Sequence, residues 1–406
     1  MFRFPAVASK PLESAISEPQ DPIDQRCRCA MRVLVIARGA LGFLTDSVKL
    51  CQYVATKHSV TYLGLQWQSS RTSDNDWMNI PGVTIEKVQA PVGKVERHYR
   101  WLRACIDECR KEYDVIYIFY FAGCSLVALA HPSKPIILDI RSISVSPRRA
   151  IRYRENFLLR LEASQYRWVS VISPELGTEL RIPKNKSHVT PVGGDRLDLP
   201  RLSTDGVHLL YVGTLTGRRI EDAIEGFGRF YKEYRDRIPV HFTVVGDGAG
   251  GERQRLLEMT KRLGLSSMVN FPGFVANDHL AGYFANANVG LSYIPLTSYF
   301  AHQPPTKTFE YLLAGLPVIA TATDANRKII DSQNGILVTD TADGVFKGLV
   351  EFCRRRDAYD PDAIKRSVAA NEWATIMLEG AMPYLEGIAA MGKTGRDAGS
   401  EEAGNS

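Results

Sequence analysis

Short runs of apolar and β-branched residues alternate with longer helical stretches along almost the whole chain, and that alternation limits the folds open to it. In the first half the runs lie at Arg32–Ala37, 59–63, 83–88, Val115–Phe119, Ile136–Ile140 and 168–172. In the second half they lie at 208–212, 241–245, 269–271, 289–293, 318–320 and 336–338. The runs are continuously apolar, as suits strands covered on both faces. Strand–helix–strand repetition then means parallel sheets with crossover helices. A chain of 406 residues has room for two such units. The fold class predicted is α/β, with two doubly wound Rossmann-like domains facing a cleft.

The stretch Pro191-Val-Gly-Gly-Asp195 and the polar residues up to Gly206 separate the two series and read as a linker. Residues 1–30 read as a disordered leader, 31–200 as the first domain and 201–372 as the second. A helix at 373–390 follows, and 391–406 reads as a floppy tail of Gly, Ser, Glu and Lys. The leader lacks the apolar segment of a signal peptide, and Met31 is a candidate start.

Hydrophobic residues make up 45% and charged residues 23%, as in a soluble globular protein. A net charge of +5 is too mild to argue for nucleic acid. The seven cysteines (Cys27, Cys29, Cys51, Cys105, Cys109, Cys124 and Cys353) are scattered without zinc-site spacing, so reduced, mostly buried thiols and a cytoplasmic location are expected. The longest uncharged stretch, 115–130, is short for a membrane span.

Four segments of the second half carry candidate chemistry. In Gln303-Pro-Pro-Thr-Lys-Thr-Phe-Glu310, the two prolines precede a helix with Thr306 as its N-cap, running to Ala314 and ended by Gly315. A helix N-terminus attracts anions, Lys307 adds a full charge, and Glu310 one turn on can accept from both ribose hydroxyls. A capped core helix with a solvated Lys and Glu fits the same letters. In Leu210-Tyr-Val-Gly-Thr-Leu-Thr-Gly-Arg-Arg219, Gly213 permits close backbone approach, and Arg218 or Arg219 offers forked donors to phosphate. A second turn, Val244-Val-Gly-Asp-Gly248, brings in Gly246. A third, Phe271-Pro-Gly-Phe-Val275, is a candidate rim for a nucleobase.

In the first half, Ala37-Arg-Gly-Ala-Leu-Gly-Phe43 follows the opening strand without full dinucleotide-binding spacing. Asp139 and Arg141 end a later strand and either face the cleft or form a structural ion pair.

Taken together, these segments resemble those of GT-B retaining glycosyltransferases of the family-four type (glycosyl transferases group 1) over roughly Met31 to Leu385, most strongly from Leu210 to Val338, where they stand in the same order. The resemblance implies a nucleotide-diphosphate sugar held by the second domain and an acceptor, saccharide or lipid-linked, on the first. It implies that Lys307, Arg219 and Glu310 are catalytic. Gly213, Thr214, Arg218, Gly246, Phe274, Val275, His302, Thr306 and Thr308 would contact the donor, and Gly39, Gly42, Asp139 and Arg141 would line the opposite wall. It also implies retention of anomeric configuration. Two positions depart from the pattern: His302 stands where a second glutamate is common, and Thr214 where an arginine is.

Among these residues there is no metal-ligand cluster, so neither a metal nor another cofactor is predicted. Six arginines against two glutamates between 147 and 167, with Ile151, Leu158 and Leu161 at near-helical spacing, suit either a solvated domain helix or one lying on anionic lipid. Two other readings compete: a non-hydrolysing nucleotide-sugar epimerase, and a degenerate scaffold that binds without turnover.

Overall fold

The computed structural model describes residues 30–67, 77–199, 205–248, 250–276, 279–301 and 303–403. His302 and the leader through Cys29 lie outside them.

Two parallel sheets organise the chain. The first contains β1 (Arg32–Ala37), β2 (Ser59–Gln66), β3 (Val83–Gln89), β4 (Val115–Phe119), β5 (Ile136–Ile140), β6 (Trp168–Val171) and β7 (Ser187–Val189), in the order β3-β2-β1-β4-β5-β6-β7. The helices between them are α1 (Thr45–Val54), α2 (Lys94–Glu108), α3 (Ser125–Ala130), α4 (Arg149–Ser164) and α5 (Pro174–Glu179). The second sheet contains β8 (Val207–Val212), β9 (Val240–Val245), β10 (Val269–Gly273), β11 (Val289–Ser292), β12 (Val318–Thr321) and β13 (Gly335–Val338), in the order β10-β9-β8-β11-β12-β13. Its helices are α6 (Ile220–Tyr234), α7 (Glu252–Arg262), α8 (Ala281–Ala285), α9 (Thr306–Leu313), α10 (Ala342–Arg355) and α11 (Pro361–Ser367).

Each sheet reverses direction of growth once, at β1/β4 and at β8/β11. In open α/β sheets, ligands bind beyond the carboxyl ends of the strands at such points. The runs at β4 and β5 bury every residue, since helices cover both faces.

After α11 the chain runs through α12 (Trp373–Thr375), a π-helical turn (Ile376–Ala381) and α13 (Met382–Ala403). Trp373, Ile376, Met377, Leu385 and Ile388 pack with Val33, Val35 and Tyr117 of the first sheet. The chain therefore returns to the domain it started from. Where a floppy tail was expected from Met391, the backbone stays helical to Ala403. The local composition, rich in small and charged residues, hid that continuation.

The outward and returning crossings touch. The Gly194 amide donates to the Asn371 carbonyl at 3.1 Å, and the Trp373 amide to the Gly194 carbonyl at 3.0 Å. A Cβ on Gly193 would sit 2.3 Å from the Asn371 oxygen, so this meeting requires a glycine.

Candidate functional site

Helix α9 begins where the β8/β11 switch point opens. Pro305, with extended backbone, occupies the cap position and no side chain caps the helix. Thr306 is therefore the first helical residue rather than its cap. The first-turn amides are left without a side-chain cap, which suits an anion. At the far end Ala314 closes the helix, and Gly315 turns the chain with φ +76°.

Two packing features hold α9 in place. Gly290 in β11 leaves room for the Tyr311 ring, since a Cβ there would come 2.3 Å from it. The Tyr311 hydroxyl then accepts from the Val212 amide at 2.8 Å, which ties the helix to the end of β8. Thr308 is fully buried, with Oγ1 2.7 Å from Ser292 Oγ and donating to Asn326 Oδ1 at 3.1 Å. Expected to contact the donor, Thr308 instead turns inward into the packing of α9 against Ser292 and Asn326.

Lys307 points back over β8. Its Nζ lies 3.9 Å from the centre of the Tyr211 ring, and a Cβ on Gly213 would come within 2.9 Å of it. The ammonium is sealed from solvent and has no hydrogen-bond acceptor among the described residues. Burial pushes its proton affinity well below the usual lysine range, and the nearby Arg218 charge adds to this. Glu310, one turn on, is pushed the opposite way, to about 7, by burial first, with Asp195 adding to it and Lys307 opposing.

Three strand ends make the floor. Gly213, Gly246 and Gly273 take φ of +143°, +138° and +84°. The Gly213 amide donates to the Val245 carbonyl at 3.0 Å, and the Gly246 amide to that of Gly273 at 2.8 Å. Thr214 is exposed, and its carbonyl accepts from the Tyr211 hydroxyl at 2.7 Å. Phe274 stands 80% exposed beside the half-buried Val275.

The two adjacent arginines differ. Arg219 adopts left-handed backbone at φ +53°, and its guanidinium pairs with Asp222 at 2.7 Å and Asp340 at 3.2 Å. Arg218 is turned the other way. Its Nε and Nη1 are buried without an acceptor among the described residues, and its Cζ lies 4.5 Å from the Phe300 ring centre. The arginine whose charge is unmet is therefore Arg218, not the Arg219 assigned to catalysis from the sequence. The choice depends on a backbone angle that adjacent identical letters do not encode.

Phe300 belongs to the loop between β11 and α9, which the sequence reading passed over. Its ring lies 4.8 Å from that of Tyr299, which in turn receives Arg152 of α4 at 5.0 Å. A further contact across the same divide is the ion pair of Lys328 with Glu175. Beneath it is a cavity of about 110 Å³, lined by Val192, Pro304, Phe309 and Asn371 among others.

On the first sheet the expected cleft residues divide. Gly42 is exposed, with φ +120°. Gly39 is buried, and its carbonyl accepts from the Tyr62 hydroxyl at 3.1 Å. Asp139 is 0% exposed and accepts from Arg141 Nε at 2.6 Å, while Arg141 also reaches Asp46 at 3.4 Å and donates to the Thr190 carbonyl at 2.8 Å. Burial pushes the Asp139 carboxyl up, opposed by Arg141. Asp139 and Arg141 thus form a structural pair beneath the sheet's edge rather than a cleft wall. Asp139→Ala leaves Arg141 short of its nearest carboxylate and is expected to cost about 3–5 kcal/mol of stability, read from chemical denaturation. A loss under about 1 kcal/mol would refute the structural assignment.

Among the described residues no group of three or more His, Cys, Asp and Glu is placed to hold a metal ion, and no helix is long and apolar enough to cross a membrane. Cys51, Cys105, Cys109 and Cys124 are free and buried, and Cys353 is free and half-buried.

Residues 206–354 match the family model described as Glycosyl transferases group 1. No curated protein matches the sequence significantly. Among solved structures, the fold is similar to a glycosyltransferase from Rickettsia africae at 12% identity and TM-score 0.66, covering 89% of this chain and 99% of that one. It is similar to Anabaena HepE in complex with UDP and glucose at 16% identity and TM-score 0.66, over 86% and 98% of the two chains. It is also similar to the pneumococcal O-GlcNAc transferase GtfA in complex with UDP and GlcNAc, at 11% identity and TM-score 0.70, over 89% and 99%. The architecture is the two-domain α/β fold of GT-B glycosyltransferases. Carrying that domain in that fold, the chain is a glycosyltransferase.

Proposed function

We propose that the chain transfers a sugar from a nucleotide-diphosphate donor, seated in the second domain, to an acceptor seated on the first, with retention of anomeric configuration. The observation that carries this reading is the buried ammonium of Lys307, without an acceptor among the described residues, beside the Gly213 cradle and one turn from Glu310 at the uncapped start of α9. Arg218 supplies a second cation close by, its Nε and Nη1 without an acceptor among the described residues. Together they meet the negative charge that builds on the departing diphosphate, the kind of preorganised stabilisation that is usually the largest catalytic term. Glu310 accepts from the ribose hydroxyls. Thr306 and the Gly213 and Gly246 turns border the phosphates, and Phe274 with Val275 lies against the base.

With two cations and a helix start aimed at the leaving group, the reaction is metal-independent. The acceptor is a saccharide or a lipid-linked one, and the protein works in the cytoplasm. A peripheral contact with anionic membrane is supported by α4, which exposes Tyr153, Phe157, Leu158 and Leu161.

The test is donor binding by Glu310 variants. Hydrogen bonds to a charged acceptor are worth about 1.5–3 kcal/mol, so Glu310→Ala should weaken the donor by about 10- to 100-fold in calorimetry. Because the free carboxyl titrates near 7, parent affinity should fall as pH drops below 7, where Glu310 takes up a proton and loses an acceptor. Glu310→Gln should lose that slope. Parent-like binding by the alanine variant would overturn the reading.

A further inference from the structure

The carboxyl edge of the first sheet holds a pair of cations that the transfer step above does not use. Arg38 directly follows β1, Trp67 directly follows β2, and Arg97 lies in the first turn of α2, after β3. These elements converge because β1, β2 and β3 are neighbours in the sheet. The Arg38 and Arg97 guanidinium carbons lie 6.0 Å and 4.9 Å from the centre of the same Trp67 ring. Arg97 Nη2 donates to the Val92 carbonyl at 3.1 Å. Arg38 Nε is sealed from solvent with no acceptor among the described residues. Neither arginine is in an ion pair among those residues, whereas Arg100 and Arg103, further along α2, pair with Glu96 and Asp107.

Two like charges gathered in a half-buried place, one with a desolvated donor, are costly unless an anion joins them. Burial lowers the proton affinity of Arg38, and the Arg97 charge lowers it further. Guanidinium forks braced on an indole present planar paired donors, the geometry that oxyanions take. A phosphate, with up to two charges, matches two cations better than a carboxylate does. Arg38 also stands at the β1/β4 switch point, where an open sheet takes its ligand.

We infer that Arg38 and Arg97, braced by Trp67, bind a phosphate group of the acceptor, which makes the acceptor a phosphorylated sugar or a phosphate-linked lipid rather than a neutral saccharide. The inference rests on the first domain being the acceptor side.

The experiment first fills the second domain with UDP or GDP, whichever raises the melting temperature more, so that added phosphate cannot occupy the donor site. Inorganic phosphate, glucose 6-phosphate, and vesicles of phosphatidic acid or of phosphatidylcholine are then titrated, with binding followed by calorimetry and cosedimentation. A phosphate probe should bind the parent, and Arg38→Gln and Arg97→Gln should each weaken it by about tenfold or more. Nucleotide affinity should stay at the parent value. The melting temperature of Arg38→Gln should not fall, because the substitution removes an unmet charge rather than a partnered one. Preference for the sugar phosphate identifies a soluble acceptor, and preference for phosphatidic acid vesicles over phosphatidylcholine a lipid-linked one. If no phosphate probe binds the nucleotide-filled protein, or if both variants bind like the parent, the inference is overturned. If neither nucleotide binds, the donor reading falls and takes this one with it.

Discussion

Lys307→Ala is expected to slow sugar transfer by about 100-fold or more, the scale on which removal of a single preorganised charge-stabilising donor is felt. The loss should lie in the chemical step, measured under single turnover with saturating donor and acceptor. In the free protein the ammonium rests on the Tyr211 ring and has no acceptor among the described residues, so its charge is poorly met until a diphosphate arrives. Burial and the neighbouring Arg218 hold its proton affinity down. An incoming diphosphate gives the ammonium the acceptor it lacks among the described residues. Parent-like turnover in the variant would remove Lys307 from the mechanism.

The second large effect is on stability. At Gly246 an added Cβ would meet the Gly213 carbonyl oxygen at 1.9 Å, and the backbone is already at φ +138°. Backbone strain of about 1–3 kcal/mol and overpacking of a similar size should combine in Gly246→Ala. A melting temperature lowered by roughly 10 °C is expected. Gly217→Ala is the matched control, since that residue is at φ +69° with nothing within 4 Å of its Cβ. It should carry strain alone and melt well above Gly246→Ala. Equal melting of the two variants would show that the crowding between strand ends is relieved by movement.

Much of this architecture is legible in the letters because buried parallel strands leave a continuous apolar trace. β4 and β5 begin and end where their apolar runs do. β7 was missed because Ser187–Val189 is short, half polar and at the edge of its sheet. Lys307 and Glu310 could be picked out because one helical turn brings them together. Thr308, between them in sequence, could not be separated from them, since only the packing of α9 on Ser292 and Asn326 turns it inward. Asp139 and Arg141 had two open readings, and burial decided for the structural one. The trio of Arg38, Trp67 and Arg97 left no trace of its own. It is assembled from three separate connections, and no spacing along the chain announces it.

The place where the polypeptide leaves the first half and the place where it comes back are bonded to each other, through Gly194, Asn371 and Trp373. A Cβ on Gly194 would lie only 3.1 Å from the Glu310 Cα. Any swing of one half against the other must turn about this double strap, as a door turns on its pin. Glu310 stands beside the pin, so such a turn would move it less than residues farther out. A nucleotide anchored by its ribose would then keep its seat through opening and closing, leaving the sugar end of the donor to be covered and uncovered.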